Sequence, residues 1–465
     1  MKNNQTVTQS VRLLASCCAA LLLLASCGGG GGGGGGSDTG GGGASGPNNV
    51  SAATVTQIME VPSDLASPPF DTPRTVRVPP GFKLKLWARV DNARFMALAP
   101  NGDVLVTNPG AGTITLLRET GNGSTEEFQF AAGLLRPHDM VFHQVGGVTY
   151  LYIAESNQVS RAIYQNGDTN LRDREVIVAN LPDESTTELQ GAYAHRLKNI
   201  ALSSDNHLFV SIASSCNACA EDSVSDPVRG AIYQYNADGS NPRLYARGIR
   251  NAEGLDFIPG TQDLWITVAN RDEMLYPFNN DFDGDGSDDY GKLIQSFVDF
   301  NPPELFTRVR AGANYGWPYC NALPNDSMSN LELVADVEFN PDGSVLDCST
   351  VERPTKGMRA HSTALGLSFL HDTAVPAAYR RGAVTALHGC WNCSRFDAGY
   401  KVSYFPFDDA GNSGAEVELV TGFVANPDDK STIWGRPVDV IADAKGRLLI
   451  SDDLADAIYV LEPSS

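Results

Sequence analysis

The chain repeats one phrase of apolar and polar positions six times. An apolar strand leads into a turn built on Asp, Asn or Gly, then a second strand of alternating apolar residues, then another turn and an Ile-Tyr-like strand. The copies begin at Met96 (MALAPNGDVLVTNPGAGTITLL), Asp139, Asn199, Gly254, Gly366 and Asp439. Alternation of period two bounded by turn residues predicts strands, and no long segment shows the spacing of three and four with caps that a helix needs. One four-stranded sheet cannot bury both faces alone, whereas radial stacking lets each sheet cover its neighbours and leaves short, protected edges. The pattern therefore predicts an all-β fold, a six-bladed β-propeller of four-stranded antiparallel blades. A sandwich is the alternative, but it would not repeat the same phrase at irregular intervals. The wide gap from Leu275 to His361 predicts insertions that project from one rim. Thr75–Val78 and Phe82–Leu84 read as strands that pair with the last blade and close the ring.

The ends change the picture of where this fold resides. Lys2 and Arg12 precede an apolar run from Ala19 to Leu24 that stops at Ala25-Ser26-Cys27. This is a secretory signal with a lipobox, too short to cross a bilayer comfortably. The Leu-Ala-Ser-Cys pattern resembles the bacterial lipoprotein signal, which implies cleavage before Cys27 and acylation of that residue. Residues 1–26 then form the signal peptide, 27–49 a Gly-rich tether and 50–465 the propeller. The tether buries nothing and has a typical end-to-end distance of roughly 25 Å. The expected location is lipid-anchored to a bacterial membrane, facing the periplasm or the cell exterior. A net charge of −21 argues against nucleic acid or an anionic membrane surface as a partner. Membrane contact is expected only through the anchor.

Of nine cysteines, Cys17, Cys18 and Cys27 belong to the leader, leaving Cys216, Cys219, Cys320, Cys348, Cys390 and Cys393 in the folded part. In an exported domain these predict disulfides. The two Cys-x-x-Cys pairs also admit a zinc site, although few further ligands stand nearby.

The candidate chemistry lies where repeat strands begin. His195 stands just ahead of one, in AHRLKNIALSSDNHLFVS. Arginines recur in comparable turns: Arg250-Asn251 ahead of Glu253-Gly254, Arg271-Asp272 after the strand of Trp265 and Val268, and Arg436 in Trp434-Gly435-Arg436-Pro437. Arginines converging on one channel of an acidic protein suit an anionic ligand.

Several phrases in this order (VPPGFKLKLWARVDNARFMALAPNGDVLVTN, YARGIRNAEGLDF, VANRDE, PPELFTRVRAGANYGWPYC, LHGCWNCSRFDAGYKV and WGRPVDVIADAKGRLLISDD) cover almost the whole folded chain. Together they resemble the soluble quinoprotein glucose/sorbosone dehydrogenase family. The resemblance implies a six-bladed propeller holding pyrroloquinoline quinone and Ca2+ at the top of its channel. It implies oxidation of a small sugar or related alcohol or aldehyde, with electrons passed to an external acceptor. By the same resemblance His195, ten positions ahead of Asp205, is the catalytic base, and Arg250 and Asn251 lie beside cofactor and substrate. Arg436 contacts the quinone's carboxylates, and Arg271 and Asp272 form a turn near the pocket. Neutral His195 would take the substrate hydroxyl proton while hydride moves to the quinone, with calcium as Lewis acid and Arg250 stabilising developing charge. The resemblance also implies a Cys320–Cys348 bridge, with Cys216–Cys219 and Cys390–Cys393 as further pairings. The chain departs from the family phrase His-Gly-Ser-Trp-Asn-Arg by carrying Cys390 and Cys393 for serine and arginine, which removes one cation beside the cofactor. His388 fits the same phrase.

A second calcium candidate lies in the insertion, where Asp281, Asp283 and Asp285 alternate ahead of Gly286, with Asp289 following. This resembles the first part of an EF-hand loop, but its twelfth position is Lys292, so a further ligand would come from Asp288 or another segment. Two other functions use the same fold: a calcium-dependent lactonase, which needs a carboxylate cage in the channel, and a non-enzymatic binding scaffold.

Overall fold

The computed structural model describes residues 52–121 and 123–464. The signal peptide, Cys27 and the tether lie outside the described residues. Six four-stranded antiparallel sheets follow one another along the chain. Their innermost strands are Met96–Leu98, Met140–Val145, Ile200–Leu202, Ala252–Phe257, Ala364–Phe369 and Pro437–Ala442, one for each repeated phrase. They are taken here as blades 1 to 6.

Burial follows position within a blade. Leu448–Asp452, the second strand of blade 6, is buried at every residue because neighbouring blades cover both its faces. Thr125–Ala131, the outer strand of blade 1, exposes residues along its first part. Between blades 4 and 5, Trp265 packs against Phe306 and Phe407 with ring centroids 4.8 and 5.0 Å apart. Gly366 of blade 5 lies so close to blade 6 that a Cβ there would run into the Asp439 carboxylate.

Ring closure uses Phe82–Arg89, which supplies the fourth strand of blade 6 and pairs antiparallel with Ala457–Pro463. Thr75–Val78 takes a different role from the one its pattern suggested. It pairs with Val55–Ile58 in a separate two-stranded sheet, and Arg77 bridges to Thr421. The long gap before blade 5 resolves into two insertions within blade 4. One runs from the second strand, Leu264–Val268, to the third, Glu304–Arg308, and contains the short helix Gln295–Val298. The other lies between the third strand and the fourth, Lys356–Met358, and carries the hairpin of Cys320–Ala322 and Leu333–Ala335.

Carboxylates staple alternate blades to the next one round the channel. Asp139 of blade 2 accepts from Ile200 N of blade 3 at 2.8 Å, Asp256 of blade 4 from Phe369 N of blade 5 at 2.8 Å, and Asp439 of blade 6 from Met96 N of blade 1 at 2.9 Å. The second oxygen of each accepts the next backbone N–H of its own strand. These three side chains line a channel cavity of about 220 Å³.

Candidate active site

At the end of the channel where the innermost strands begin, side chains from several blades meet. His195 precedes blade 3, and its Nδ1 lies 2.9 Å from both the carbonyl and the hydroxyl oxygen of Ser214. A carbonyl only accepts, so Nδ1 carries the proton and Nε2 presents its lone pair. Burial, with the Arg250 charge next, pushes the ring down to about 3, which keeps it neutral.

Arg250 leads into blade 4 and is buried with its fork almost fully engaged. Nε donates to Asn217 O at 2.9 Å, Nη1 to Ala269 O at 3.1 Å, and Nη2 to Asn217 Oδ1 at 2.9 Å and Asp272 Oδ2 at 3.4 Å. One N–H on Nη1 is left for a ligand. Asn251 donates to Glu253 Oε1 at 2.9 Å. Asp272 closes the group on the other side, with Oδ1 lying 3.4 Å from His361 Nδ1. Against the cost of burial, Asp272 and Glu304 hold the His361 ring above its usual value.

Arg436 precedes blade 6 and donates to His388 O at 3.1 Å and Gly389 O at 2.8 Å. Gly389 has φ 98°, and a Cβ there would strike the Tyr400 ring, so only glycine presents its carbonyl in this way. Arg271 touches the group only through Nε, which donates to Asp272 O at 3.4 Å. Its guanidinium turns into the second insertion, where it pairs with Asp336 and, at 2.8 Å, with Glu338.

Residues that no motif marked complete the ring. Arg94, ahead of blade 1, pairs with Asp453 at 2.8 Å, and Asp453 accepts from His388 Nε2 at 2.8 Å. Burial opposes the Asp453 charge, but His388 and Arg94 hold its carboxyl well below the usual range. His138, ahead of blade 2, donates from Nε2 to Glu253 at 3.1 Å. Burial lowers the His138 ring against the opposing pull of Glu253, and His138, Arg94 and Asn251 hold Glu253 low against burial. Lys198, ahead of blade 3, is fully buried, donates to Arg196 O at 2.7 Å and lies over the Tyr193 ring; burial lowers its ammonium to about 7.

Several polar atoms of this ring have no protein partner. Arg94 Nε, His138 Nδ1, both amide atoms of Asn199 and Asn392 Oδ1 are buried without a hydrogen bond. Buried polar groups left unpaired cost about 1–3 kcal/mol each, so the mouth is organised for a polar ligand. Donors on Arg94, Lys198, Arg250 and Arg436 fit an anion with several carboxylates, and the donor set is therefore compatible with pyrroloquinoline quinone. The channel carboxylates do not form the cage that a lactonase needs. Each already accepts two backbone N–H groups, and burial raises Asp139 well above its normal range, Asp256 to about 7 and Asp439 to about 6.

The structure joins Cys216 to Cys219, Cys320 to Cys348 and Cys390 to Cys393, which leaves no thiolate for zinc among the described cysteines. In the Asp281 loop, carboxylate oxygens of Asp281, Asp283 and Asp285 lie within 4.8 Å of one another. Asp289 instead turns inward to accept from Phe282 N, Asp283 N and Lys292 Nζ. The ammonium of Lys292 thus stands where an EF-hand places its last carboxylate. Among the described residues no helix is long and apolar enough to cross a membrane.

Comparison with known proteins bears on the same region. A structure of the Trichoderma reesei carbohydrate-active enzyme family AA12 shares 20% identity at a TM-score of 0.66, covering 83% of this chain and 97% of that one. The holo form of the pyranose dehydrogenase PQQ domain from Coprinopsis cinerea shares 17% at a TM-score of 0.68, covering 84% and 97%. The PQQ-bound aldose sugar dehydrogenase of Streptomyces coelicolor shares 15% at 0.50, covering 83% and 99%. An uncharacterized protein of Borreliella burgdorferi is 24% identical over 396 residues, 83% of this chain and 90% of its own length. At these identities the solved structures establish a common fold, and the sugar dehydrogenases named by the sequence resemblance are relatives at that level. The family match itself runs from residue 76 to 464, through all six blades and every ring residue described above, and by it the chain belongs to the TrAA12-like family.

Proposed function

We propose that this chain is an exported, lipid-anchored oxidoreductase that oxidises a sugar or related alcohol or aldehyde with pyrroloquinoline quinone and calcium, passing electrons to an external acceptor. The observation that carries the reading is His195, neutral with Nε2 free, set among guanidinium and ammonium donors that a chain of net charge −21 otherwise lacks in excess. The reading is also supported by the quinone-binding proteins among the fold relatives.

Arg94, Lys198, Arg436 and the remaining N–H of Arg250 would hold the quinone's carboxylates. The bound quinone supplies the two-electron sink, and calcium a Lewis acid beside it. The protein's part is proton transfer and position. His195 Nε2 accepts the substrate hydroxyl proton as the carbon bearing it gives up hydride. The Ser214 carbonyl, bonded to Nδ1–H, fixes the tautomer and steadies the imidazolium that forms. Asp272 and Glu253 add negative potential that favours this cation.

The test is titration of the purified domain with pyrroloquinoline quinone, with and without calcium, followed by dye reduction over aldoses, sorbosone and polyols. Calcium-dependent quinone binding and reduction with at least one sugar are expected. Absence of quinone binding at any practical concentration would replace the enzyme with a binding scaffold.

A further inference from the structure

The loops closed by both Cys-x-x-Cys bridges bond to Asp272, and the first also bonds to Arg250. Cys216–Cys219 encloses Asn217, which uses every polar atom beyond its own N–H on the Arg250–Asp272 pair. Its backbone oxygen and Oδ1 each accept from Arg250 at 2.9 Å, Oδ1 also accepts from Asp272 N at 2.8 Å, and Nδ2 donates to Asp272 O at 2.9 Å. Cys390–Cys393 encloses Asn392, whose Nδ2 donates to Asp272 Oδ1 at 3.3 Å from the opposite side.

The reach of each loop extends further. Ser214, which orients His195, donates to Cys216 O at 2.8 Å. The residues immediately before Cys390 are His388 and Gly389, whose carbonyls hold Arg436. One bridged loop thus fixes His195 and Arg250, and the other fixes Asp272 and Arg436. A four-residue loop without its bridge has many backbone conformations, and few of them present an asparagine at this spacing.

We propose that Asn217 and Asn392 are the positioning residues of the Arg250–Asp272 pair, and that the two short disulfides keep them in place, so that thiol–disulfide state sets the geometry of the mouth. The inference rests on the reading of the mouth as the quinone and substrate site. Opening a bridge takes two electrons and two protons from an external dithiol, which is itself oxidised to a disulfide. The Cys320–Cys348 bridge closes a far longer loop in the second insertion and touches none of these residues, so it serves as the control.

The experiment follows the buried Arg250 Nε–H by nitrogen-15 NMR, assigned with Arg250→Lys, beside quinone affinity and melting temperature. Variants are Asn217→Ala, Asn392→Ala, and the double substitutions Cys216→Ser with Cys219→Ser (the 216/219 pair), Cys390→Ser with Cys393→Ser (390/393) and Cys320→Ser with Cys348→Ser (320/348). In Asn217→Ala and the 216/219 pair, Nε–H exchange should quicken at least tenfold and quinone affinity fall at least tenfold in protein that still melts cooperatively. Asn392→Ala and the 390/393 pair should weaken quinone binding to a similar extent. The 320/348 pair should lower the melting temperature and move neither signal. Unchanged Arg250 protection in folded 216/219 protein, or equal effects from 320/348, overturns the proposal. If the wild type binds no quinone the functional reading falls, while Nε–H exchange, which needs no ligand, still decides the positioning role of Asn217.

Discussion

His195 combines two properties that proton transfer needs: a fixed tautomer and a ring that stays neutral. Because burial and Arg250 push it down, its Nε2 remains an acceptor at any pH near neutrality. Ring nitrogen NMR of the quinone-free protein should therefore show His195 neutral, with the proton on Nδ1, from pH 8 down to pH 5. His195→Gln should retain quinone affinity while turnover falls about 10²–10⁴-fold, the usual contribution of a general base. Near-normal turnover in quinone-loaded His195→Gln would remove this side chain from the chemistry. Arg250, Asn251 and Arg436 were legible in the sequence because they sit in phrases that carry a family resemblance, and His195 because it stands just ahead of a repeat strand. Arg94, His138 and Lys198 were not, because each is a lone polar residue: Arg94 and His138 find their acids on other blades, and Lys198 bonds only a neighbouring backbone carbonyl. The signal they did leave is positional: each stands two residues ahead of an innermost strand. Arg271 shows what a motif-like turn leaves out, since it says nothing of the insertion acids that pair with its guanidinium.

At the scale of strands and blades, the stapling carboxylates give stability a pH dependence that can be signed. Burial raises Asp439 to about 6, so the folded protein keeps a proton that the unfolded chain has already released. This contribution favours folding below the ordinary carboxyl range and is lost as pH rises through about 6. Asp439→Asn has nothing to titrate and is expected to be less stable overall, by about 1–3 kcal/mol, because one of two backbone N–H groups loses its acceptor. Its deficit should shrink by about 1.4 kcal/mol between pH 5 and pH 8 in urea unfolding, since only the wild type loses the proton. A constant deficit across that range would mean that Asp439 is ionised throughout. The six inner strands were readable because each begins a repeated phrase. The third and fourth strands of blade 4 were hidden, because insertions separate Leu264–Val268, Glu304–Arg308 and Lys356–Met358 far beyond any repeat length. Thr75–Val78 has the alternation of a strand, and alternation names no partner.

For the molecule as a whole, a net charge of −21 favours solubility, while the mouth gathers buried arginines beside the carboxylates that pair with them. The proposed anchor places that mouth on a tether beside a membrane. Cys27→Ser should move the protein from the membrane to the soluble fraction or leave it unprocessed; a variant that fractionates and migrates like the wild type would dismiss the anchor. The strand that completes blade 6 carries a consequence of another kind. Phe82–Arg89 is among the first parts of the propeller to leave a ribosome or a translocation pore, and its partner Ala457–Pro463 is the last. No partial chain can shut the ring, because the final seam joins segments separated by nearly the whole fold, the most costly sort of contact to form early. If the chain is exported as proposed, the propeller would stay open until Ala457–Pro463 is through, and only that strand lets the ring lock.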